Sequence, residues 1–316
     1  MLGLEAEDRE HIFVAHAYAE QSVDLGEVRM NYVVTGSDEL PALLLIPGQT
    51  ESWWGYEQAM PLLAEHFQVY AVDLRGQGRS TWTPGRYSVD GMGNDLVRFI
   101  DIVIGRPTFV SGLSSGGVLA TWLAAYAKPG QVVASVLEDP PLFASELNPA
   151  FGHSIRQGLG PMFAMFNKWL GDQWSIGDWA GMCAAAHQEL PAPISSRPWP
   201  PEPPQNLREY DPEWGRATSS GTLMGGCDHA QMLAAIKVPT LFTHHLRGIH
   251  EPSGLPIGAL SDLHARKVSD LITETGQRHS YRSFPEMGHF MHAEDPELFT
   301  ASLVDWRDSL TERVDA

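Results

Sequence analysis

Short apolar runs alternate with helical patterns along this 316-residue sequence, and this alternation constrains the fold more than any other feature. Runs without polar alternation are typical of strands buried on both faces. Strands of this kind that alternate with helices predict a mostly parallel sheet covered by helices on both sides. The strand-like runs in the first half are 42–47, 67–73, 108–111 and 132–138, and the helical patterns are 56–65, 90–104 and 115–127.

The sheet is expected to extend beyond these runs at both ends of the chain. Residues 11–18 and 22–35 are rich in β-forming residues, with a turn at Gly26, and predict an antiparallel start. Later in the sequence we expect a strand at 238–244, a helix near 262–275 and a strand near 279–284. A last helix is expected to start at Asp295-Pro296. We expect eight strands in total.

The alternation stops after Pro140-Pro141. Residues 142–235 contain helical patterns and loops, five of the ten tryptophans and the proline-dense stretch 191–204, but no clear strand. This interruption predicts a core domain formed by residues 1–140 and 236–316, with residues 141–235 inserted as a helical cap domain.

Composition excludes several classes of function. The net charge of −18 disfavours a protein that binds nucleic acid phosphates, and no apolar stretch approaches the length of a membrane span. The N-terminal sequence MLGLEAEDREHIF lacks the features of a secretory signal. Cys183 and Cys227 form neither a disulfide framework nor a metal-binding spacing. We therefore expect a soluble cytoplasmic protein, and the sequence allows a homodimer without indicating one.

The sequence Gly112-Leu113-Ser114-Ser115-Gly116 matches the pattern G-x-S-x-G. A buried strand is predicted directly before it and a helix directly after it, which is the context of a nucleophile elbow. In such an elbow the glycines let the turn close tightly, and the serine is strained and exposed. Ser114 is therefore the candidate nucleophile. The alternative interpretation is a glycine- and serine-rich loop that binds a phosphate or only packs.

A serine needs a base that removes its proton. His289 lies between the last predicted strand and the last helix, a loop expected at the same sheet edge as the elbow. We take His289 as the base, with His292 as its nearest rival. His244 and His245 end a strand and could also face the site.

The base in turn needs a carboxylate. Glu138 and Asp139 end the strand 132–138, and because neighbouring strand residues point in opposite directions, only one of them can face His289. The residues alone do not decide between them. Glu251 and Asp262 are weaker candidates.

The loop after residues 42–47 is predicted to supply part of an oxyanion hole. The backbone N–H groups of Gln49 and Ser115 are the expected donors. The sequence shows no nucleotide-binding glycine motif of the expected kind and no zinc-ligand spacing. We therefore predict a hydrolase that uses no cofactor and no metal.

Taken together, the segment 73–80 (DLRGQGRS), the elbow and Gly288-His289 resemble the α/β-hydrolase superfamily. A closer resemblance, to the bacterial zearalenone hydrolases, runs from about His11 into the last helix. It includes the strings 23–28 (VDLGEV), 76–84 (GQGRSTWTP), 171–179 (GDQWSIGDW) and 209–217 (EYDPEWGRA).

This resemblance implies a lactonase that opens the macrocycle of a resorcylic acid lactone. In that family the triad acid stands 24 positions after the nucleophile, so the resemblance favours Glu138 and leaves Asp139 as the alternative. The His-Gly that the α/β-hydrolase superfamily usually has before the oxyanion loop is replaced here by Pro47-Gly48. That change bears on loop packing more than on the backbone donor.

A small, flat, apolar lactone is the expected partner, and aromatic and methionine side chains are expected to bind it. The candidates are Trp53 and Trp54 after the oxyanion loop and Met165 and Trp179 in the cap. Another capped esterase, a C–C bond hydrolase and a ligand receptor of the same fold are the alternatives. Dehalogenases and epoxide hydrolases of the superfamily are disfavoured, because they use aspartate where Ser114 stands.

Overall fold

The computed structural model describes residues 6–146, 156–170, 177–191, 194–195 and 198–311. Most of the cap string 171–179 and part of the proline-rich stretch 191–204 lie outside these residues. Ten strands are described: β1 Gln21–Asp24, β2 Arg29–Thr35, β3 Ala42–Ile46, β4 Gln68–Val72, β5 Thr108–Leu113, β6 Val132–Glu138, β7 Thr240–His244, β8 Gly248–His250, β9 Leu255–Ile257 and β10 His279–Ser283.

The α-helices that the structure describes surround these strands. They are α1 Met60–Leu63, α2 Val89–Phe99, α3 Ser115–Tyr126, α4 Arg156–Leu170, α5 Trp179–Glu189, α6 Gln205–Arg208, α7 Glu213–Ser220, α8 His229–Ala234, α9 Asp262–Glu274, α10 Met291–Glu294 and α11 Pro296–Thr311. A π-helical turn, Ile100–Ile104, extends α2, and 3-10 helices occupy Ala6–Ile12 and Trp53–Tyr56.

Eight strands form one sheet in the order β1-β2-β4-β3-β5-β6-β7-β10. The pairs β1–β2 and β2–β4 are antiparallel, and the other neighbours are parallel. This confirms the predicted eight-stranded, mostly parallel sheet. The two short strands β8 and β9 form a separate antiparallel hairpin that the sequence did not suggest.

The strands are apolar because both faces of the sheet are covered. Along β3, Leu43 and Leu45 pack in one buried cluster with α1 and α11, while Leu44 and Ile46 pack in another with α2 and α3. Each fully buried leucine side chain contributes roughly 1.5–3 kcal/mol through the hydrophobic effect. This two-sided burial explains the lack of polar alternation in the sequence.

Local signals set several helix boundaries. The Ser88 hydroxyl accepts a hydrogen bond from the Gly91 N–H at the start of α2, and Asp295 accepts one from the Leu298 N–H at the start of α11. Gly105, with φ of 67°, ends the π-helical extension of α2 in the left-handed conformation.

One predicted strand is wrong. Residues 11–18 form no strand, and the chain before β1 instead contains the 3-10 helix Ala6–Ile12. The Arg9 guanidinium donates to the carbonyl groups of Gly78 and Ser80 and lies 4.2 Å from the centre of the Trp82 ring. These contacts anchor the segment as an irregular arm rather than as a ninth strand of the sheet.

Between β6 and β7, the described residues form helices α4–α8 and no strand. Helix α4 packs against α5 and α7, whereas α8 packs against α3 and α9 beside the sheet. None of the helices in the described ranges is long and apolar enough to span a bilayer.

Candidate active site

Ser114 stands between the end of β5 and the start of α3 in a strained backbone conformation. Its φ is 54° and its ψ is −119°, values that are unfavourable for a residue with a side chain. The Ser114 N–H donates to the Glu138 carbonyl oxygen at 2.8 Å, and its carbonyl oxygen accepts from the Val118 N–H. The strand–turn–helix context predicted for a nucleophile elbow is therefore present.

Close backbone contacts explain the two glycines of the motif. A Cβ atom at Gly112 would lie 2.1 Å from the Gly116 carbonyl oxygen. A Cβ atom at Gly116 would lie 2.3 Å from the Ile46 carbonyl oxygen, at the end of the neighbouring strand β3. Both contacts are with backbone atoms, so neither position accepts a side chain without displacing a strand or the elbow.

Parallel pairing brings the other candidate loops to the same edge of the sheet. Ile46 is in register with Gly112, Leu113 with Glu138, and Glu138 with Thr243. The carboxyl ends of β3, β5, β6 and β7 therefore meet beside the elbow, at the edge where open α/β sheets place their sites.

The predicted oxyanion donors, Gln49 and Ser115, lie close to the nucleophile. A Cβ atom at Gly48 would be 3.3 Å from the Ser114 Cβ, which shows how closely the loop after β3 approaches the elbow. Within the described ranges, the backbone N–H groups of Gln49 and Ser115 donate to no protein acceptor. Both residues line the same cavity as Ser114, so their N–H groups are candidate donors to a ligand bound there.

His289 is bonded to Asp139 and not to Glu138. Its Nδ1 lies 2.7 Å from Asp139 Oδ2, and Asp139 Oδ1 accepts a hydrogen bond from the His245 N–H. Glu138 instead accepts from both the N–H and the Nδ1 of His292, at 3.1 and 3.0 Å. The family spacing thus pointed to the carboxylate that the structure pairs with the other histidine.

Backbone geometry explains this pairing. Glu138 is the last residue of β6, and Asp139 follows it with φ of 42°, so the two side chains leave the strand in different directions. The sequence limited the partner of His289 to one of these two acids and the family spacing favoured Glu138, whereas the structure pairs His289 with Asp139.

The rival histidines have other partners. His244 contacts the Tyr281 hydroxyl and the Leu260 carbonyl oxygen, and His245 contacts the Gly288 carbonyl oxygen and the Thr243 hydroxyl. Neither lines the cavity with Ser114, and neither does His292, whereas His289 does.

The electrostatics of the pair suit a general base. Burial lowers the pKa of His289, but the hydrogen bond to Asp139 and the negative charge of that carboxylate outweigh burial and raise the pKa above its usual 6.5. Burial would raise the pKa of Asp139, but the interaction with His289 holds it below its usual 3.8. Asp139 therefore stays ionised where His289 titrates.

A second acid, Glu51, lines the same cavity as Asp139. Burial raises the pKa of Glu51 to about 7, although the nearby His292 and His289 oppose this shift. Glu51 lies two residues after Gln49, and sequence reasoning did not single it out. Its position in the oxyanion loop was the one signal that could have indicated it.

The cavity beside Ser114 has a volume of about 290 Å³ and a mostly apolar wall. Its polar lining includes Gln49, Glu51, Ser115, Asp139 and His289. The apolar wall comes from the 141–235 segment, from the loop and hairpin after β7, and from the loop after β10. It includes Leu159, Met162, Phe163, Ile194, Leu223, Met224, Leu246, Leu255, Ile257 and Phe290.

The four side chains predicted to bind substrate do not line this cavity. Trp53 is fully buried and donates to Glu20, and Trp54 donates to Glu209. Met165 and Trp179 are buried in the apolar cluster around α4 and α5. On α4, Met162 and Phe163 line the cavity, whereas Met165 does not. The orientation of α4 about its own axis therefore decides which of its apolar side chains can contact a ligand.

No group of histidine, cysteine and acidic side chains in the described ranges has the arrangement of a metal site. Cys183 and Cys227 are free thiols.

Comparison with known proteins identifies the fold that carries this site. A family model described as alpha/beta hydrolase fold matches residues 41–173. Bifunctional epoxide hydrolase 2 of Sus scrofa is 34% identical over 125 residues, which cover 38% of this chain and 22% of that protein. 3-Oxoadipate enol-lactonase 2 of Acinetobacter baylyi is 33% identical over 101 residues, covering 31% of this chain and 37% of that protein. The chain thus spans well under two thirds of the length of these curated relatives.

Solved structures match over almost the whole chain. A hydrolase from Pseudomonas aeruginosa has a TM-score of 0.65 at 22% identity, covering 92% of this chain and 99% of that one. The enol-lactonase from Burkholderia xenovorans has a TM-score of 0.61 at 17% identity, covering 91% and 100%. The chain has the α/β-hydrolase fold.

Proposed function

We propose that this protein, with its α/β-hydrolase fold, is a serine hydrolase of carboxylic esters whose triad is Ser114, His289 and Asp139. One observation carries the proposal: the strained elbow serine, two unpaired backbone N–H groups and a histidine–carboxylate pair surround one cavity. This set of groups provides a nucleophile, an oxyanion site and an oriented base.

The proposed reaction has two stages. Asp139 holds Nδ1 of His289, so the other ring nitrogen, Nε2, takes the proton from Ser114 as its oxygen attacks the ester carbonyl. The backbone N–H groups of Gln49 and Ser115 stabilise the oxyanion, an interaction for which the loss of one donor typically costs about 3 kcal/mol. His289 then protonates the leaving alkoxide. Water attacks the acyl-enzyme with His289 as base and releases the carboxylic acid, so water is the only co-reactant.

The substrate class we propose is a resorcylic acid lactone of the zearalenone type. In a lactone, the alcohol and the acid remain in one molecule when the ester opens, so the cavity must hold a whole ring. Its wall is apolar, as such a ring requires. The sequence strings that resemble zearalenone hydrolases support the proposal, as does the partial likeness to an enol-lactonase.

The proposed organisation keeps residues 1–140 and 236–316 as the catalytic core and residues 141–235 as the cap. Leu159, Met162 and Phe163 come from the cap and face a serine that belongs to the core. The cap therefore supplies much of the apolar surface, while the core supplies the reacting groups.

Two measurements test the proposal. A fluorophosphonate should add one adduct mass to the wild type and none to Ser114→Ala; equal labelling of both would exclude Ser114 as the nucleophile. Chromatography of zearalenone incubated with the protein should show the ring-opened product. Fast cleavage of p-nitrophenyl esters beside an intact lactone would instead support a different esterase.

A further inference from the structure

The loop that contributes Gln49 to the oxyanion hole is held by side chains from the cap. Gln49 Nε2 donates to the Tyr210 hydroxyl at 2.7 Å, and Gln49 Oε1 accepts from the Thr218 hydroxyl at 3.0 Å. Both ends of the Gln49 amide are therefore bound by residues near or on α7. Tyr210 is fully buried, so solvent does not compete for this hydrogen bond.

A second contact holds the other end of the same loop. The Ser52 hydroxyl donates to Glu209 Oε2 at 3.0 Å, and Glu209 directly precedes Tyr210. The core contributes one further hydrogen bond, from the Glu51 N–H to Gln77 Oε1. Most of the side-chain bonds that hold residues 49–52 thus come from the segment 209–218, which we call the docking segment.

The loop needs such support because its backbone is strained. Thr50, between Gln49 and Glu51, has φ of 69°, a left-handed conformation that is unfavourable for a β-branched residue. Strain of this kind persists only where surrounding contacts hold the backbone in place. If the contacts to Gln49 are lost, Thr50 can relax, and the Gln49 N–H moves with it.

The docking segment is also attached to the core away from this loop. The Asp211 N–H donates to the Gly76 carbonyl oxygen at 2.8 Å, the Trp214 indole donates to the Arg75 carbonyl oxygen at 2.8 Å, and the Tyr87 hydroxyl donates to Asp211. General attachment of the segment can therefore be separated experimentally from its contacts with Gln49.

We propose that Tyr210 is a positioning residue that, together with Thr218, aims the Gln49 N–H at the oxyanion. Docking of the cap then completes the oxyanion hole as well as covering the cavity. This inference rests on the proposed function, because it assigns a role to a donor in that reaction.

The test compares two buried tyrosines at the contact between cap and core. Tyr210→Phe removes the acceptor for Gln49, whereas the control Tyr87→Phe removes a hydrogen bond to Asp211 and leaves the oxyanion loop untouched. With p-nitrophenyl acetate, we expect Tyr210→Phe to lower kcat about tenfold or more with KM within twofold of wild type, since a misplaced donor loses transition-state stabilisation. Tyr87→Phe should lower the melting temperature but keep kcat.

A double-variant cycle provides the second reading. Gln49→Ala keeps the backbone N–H but removes the amide that Tyr210 holds, so it should lower kcat by a similar factor. The double variant Gln49→Ala/Tyr210→Phe should then be no slower than either single variant. If Tyr210→Phe does not fold, Gln49→Ala and Thr218→Val test the hydrogen bonds of the Gln49 amide without changing Tyr210.

Three results would overturn the inference. The first is an unchanged kcat in both Tyr210→Phe and Gln49→Ala, and the second is an equal loss of kcat in Tyr210→Phe and Tyr87→Phe. The third is a wild type with no turnover that depends on Ser114, which would overturn the proposed function as well. The first two leave that function intact, so the two failures are distinguishable.

Discussion

Asp139 and His289 are joined by a 2.7 Å contact between Oδ2 and Nδ1, although the preceding residue, Glu138, stands at the position that family spacing favours. The carboxylates at 138 and 139 each bind a different histidine, and the two histidines are separated by only two residues. The molecule thus contains two neighbouring histidine–carboxylate pairs, of which only the Asp139–His289 pair reaches the cavity.

This arrangement predicts unequal effects of amide substitutions at the two acids. Asp139→Asn should lower kcat by about 10³–10⁴, because an amide no longer holds the required tautomer of His289 or stabilises its protonated form. Glu138→Gln should lower kcat far less and should mainly lower the melting temperature, because it disturbs the fully buried pair with His292. Steady-state kinetics and thermal unfolding of both variants check this. A larger kcat loss in Glu138→Gln would restore Glu138 as the triad acid.

The pH dependence of activity should show the raised pKa of His289. His289 acts as a base only when neutral, so kcat/KM should fall as pH drops through its pKa, with an inflection above 6.5. In Asp139→Asn, the charge that raises this pKa is gone while burial, which lowers it, remains, so the inflection of the residual activity should move to lower pH. An inflection that is the same in both proteins would contradict the assignment.

Glu51 should make the protein less stable as pH rises. Its carboxyl has a pKa of about 7 in the folded state against 4.5 in the unfolded chain, so the unfolded state loses the proton first. The free energy of unfolding should therefore decrease between pH 4.5 and 7, and Glu51→Gln should avoid this loss. We expect the variant to be more stable than wild type by about 2 kcal/mol at pH 8, with the gain disappearing near pH 4.5.

Urea unfolding at both pH values measures this difference, and the exposed Glu65 provides the control. Glu65→Gln should show no comparable gain at pH 8. If Glu51→Gln were equally stable relative to wild type at both pH values, burial of the Glu51 carboxylate would not limit stability.

Substitutions on α4 should separate cavity-lining from packing residues. Phe163 lines the cavity and Met165 does not, although they are two residues apart. Phe163→Leu should lower kcat/KM for p-nitrophenyl phenylacetate relative to p-nitrophenyl acetate by about three- to tenfold, because a bulky acyl group loses apolar contact. Met165→Leu is nearly isosteric and should leave this ratio unchanged. The same change of ratio in both variants would argue against the described cavity wall.

Much of the fold followed from the sequence by itself. Runs such as 42–46 are apolar at every position, and only a strand covered on both faces makes that pattern favourable. Ser114 could be predicted to stand in an elbow because the glycines, the strand and the helix that form this turn are adjacent in the chain. Gln49, Ser115 and His289 were predicted to lie near Ser114 because parallel strands bring the loops at their carboxyl ends to one edge of the sheet, and all three line the same cavity as Ser114.

Other features depend on directions that only the tertiary structure sets. Glu138 and Asp139 are both acids at a strand end, and a φ of 42° at Asp139 decides which one meets His289. Trp53 and Trp54 closely follow Gln49 of the oxyanion loop in the chain, yet hydrogen bonds to Glu20 and Glu209 hold their indoles away from the cavity. The hydrogen bonds that Gln49 donates to Tyr210 and accepts from Thr218 join positions more than 160 residues apart, a relationship that local sequence patterns do not encode.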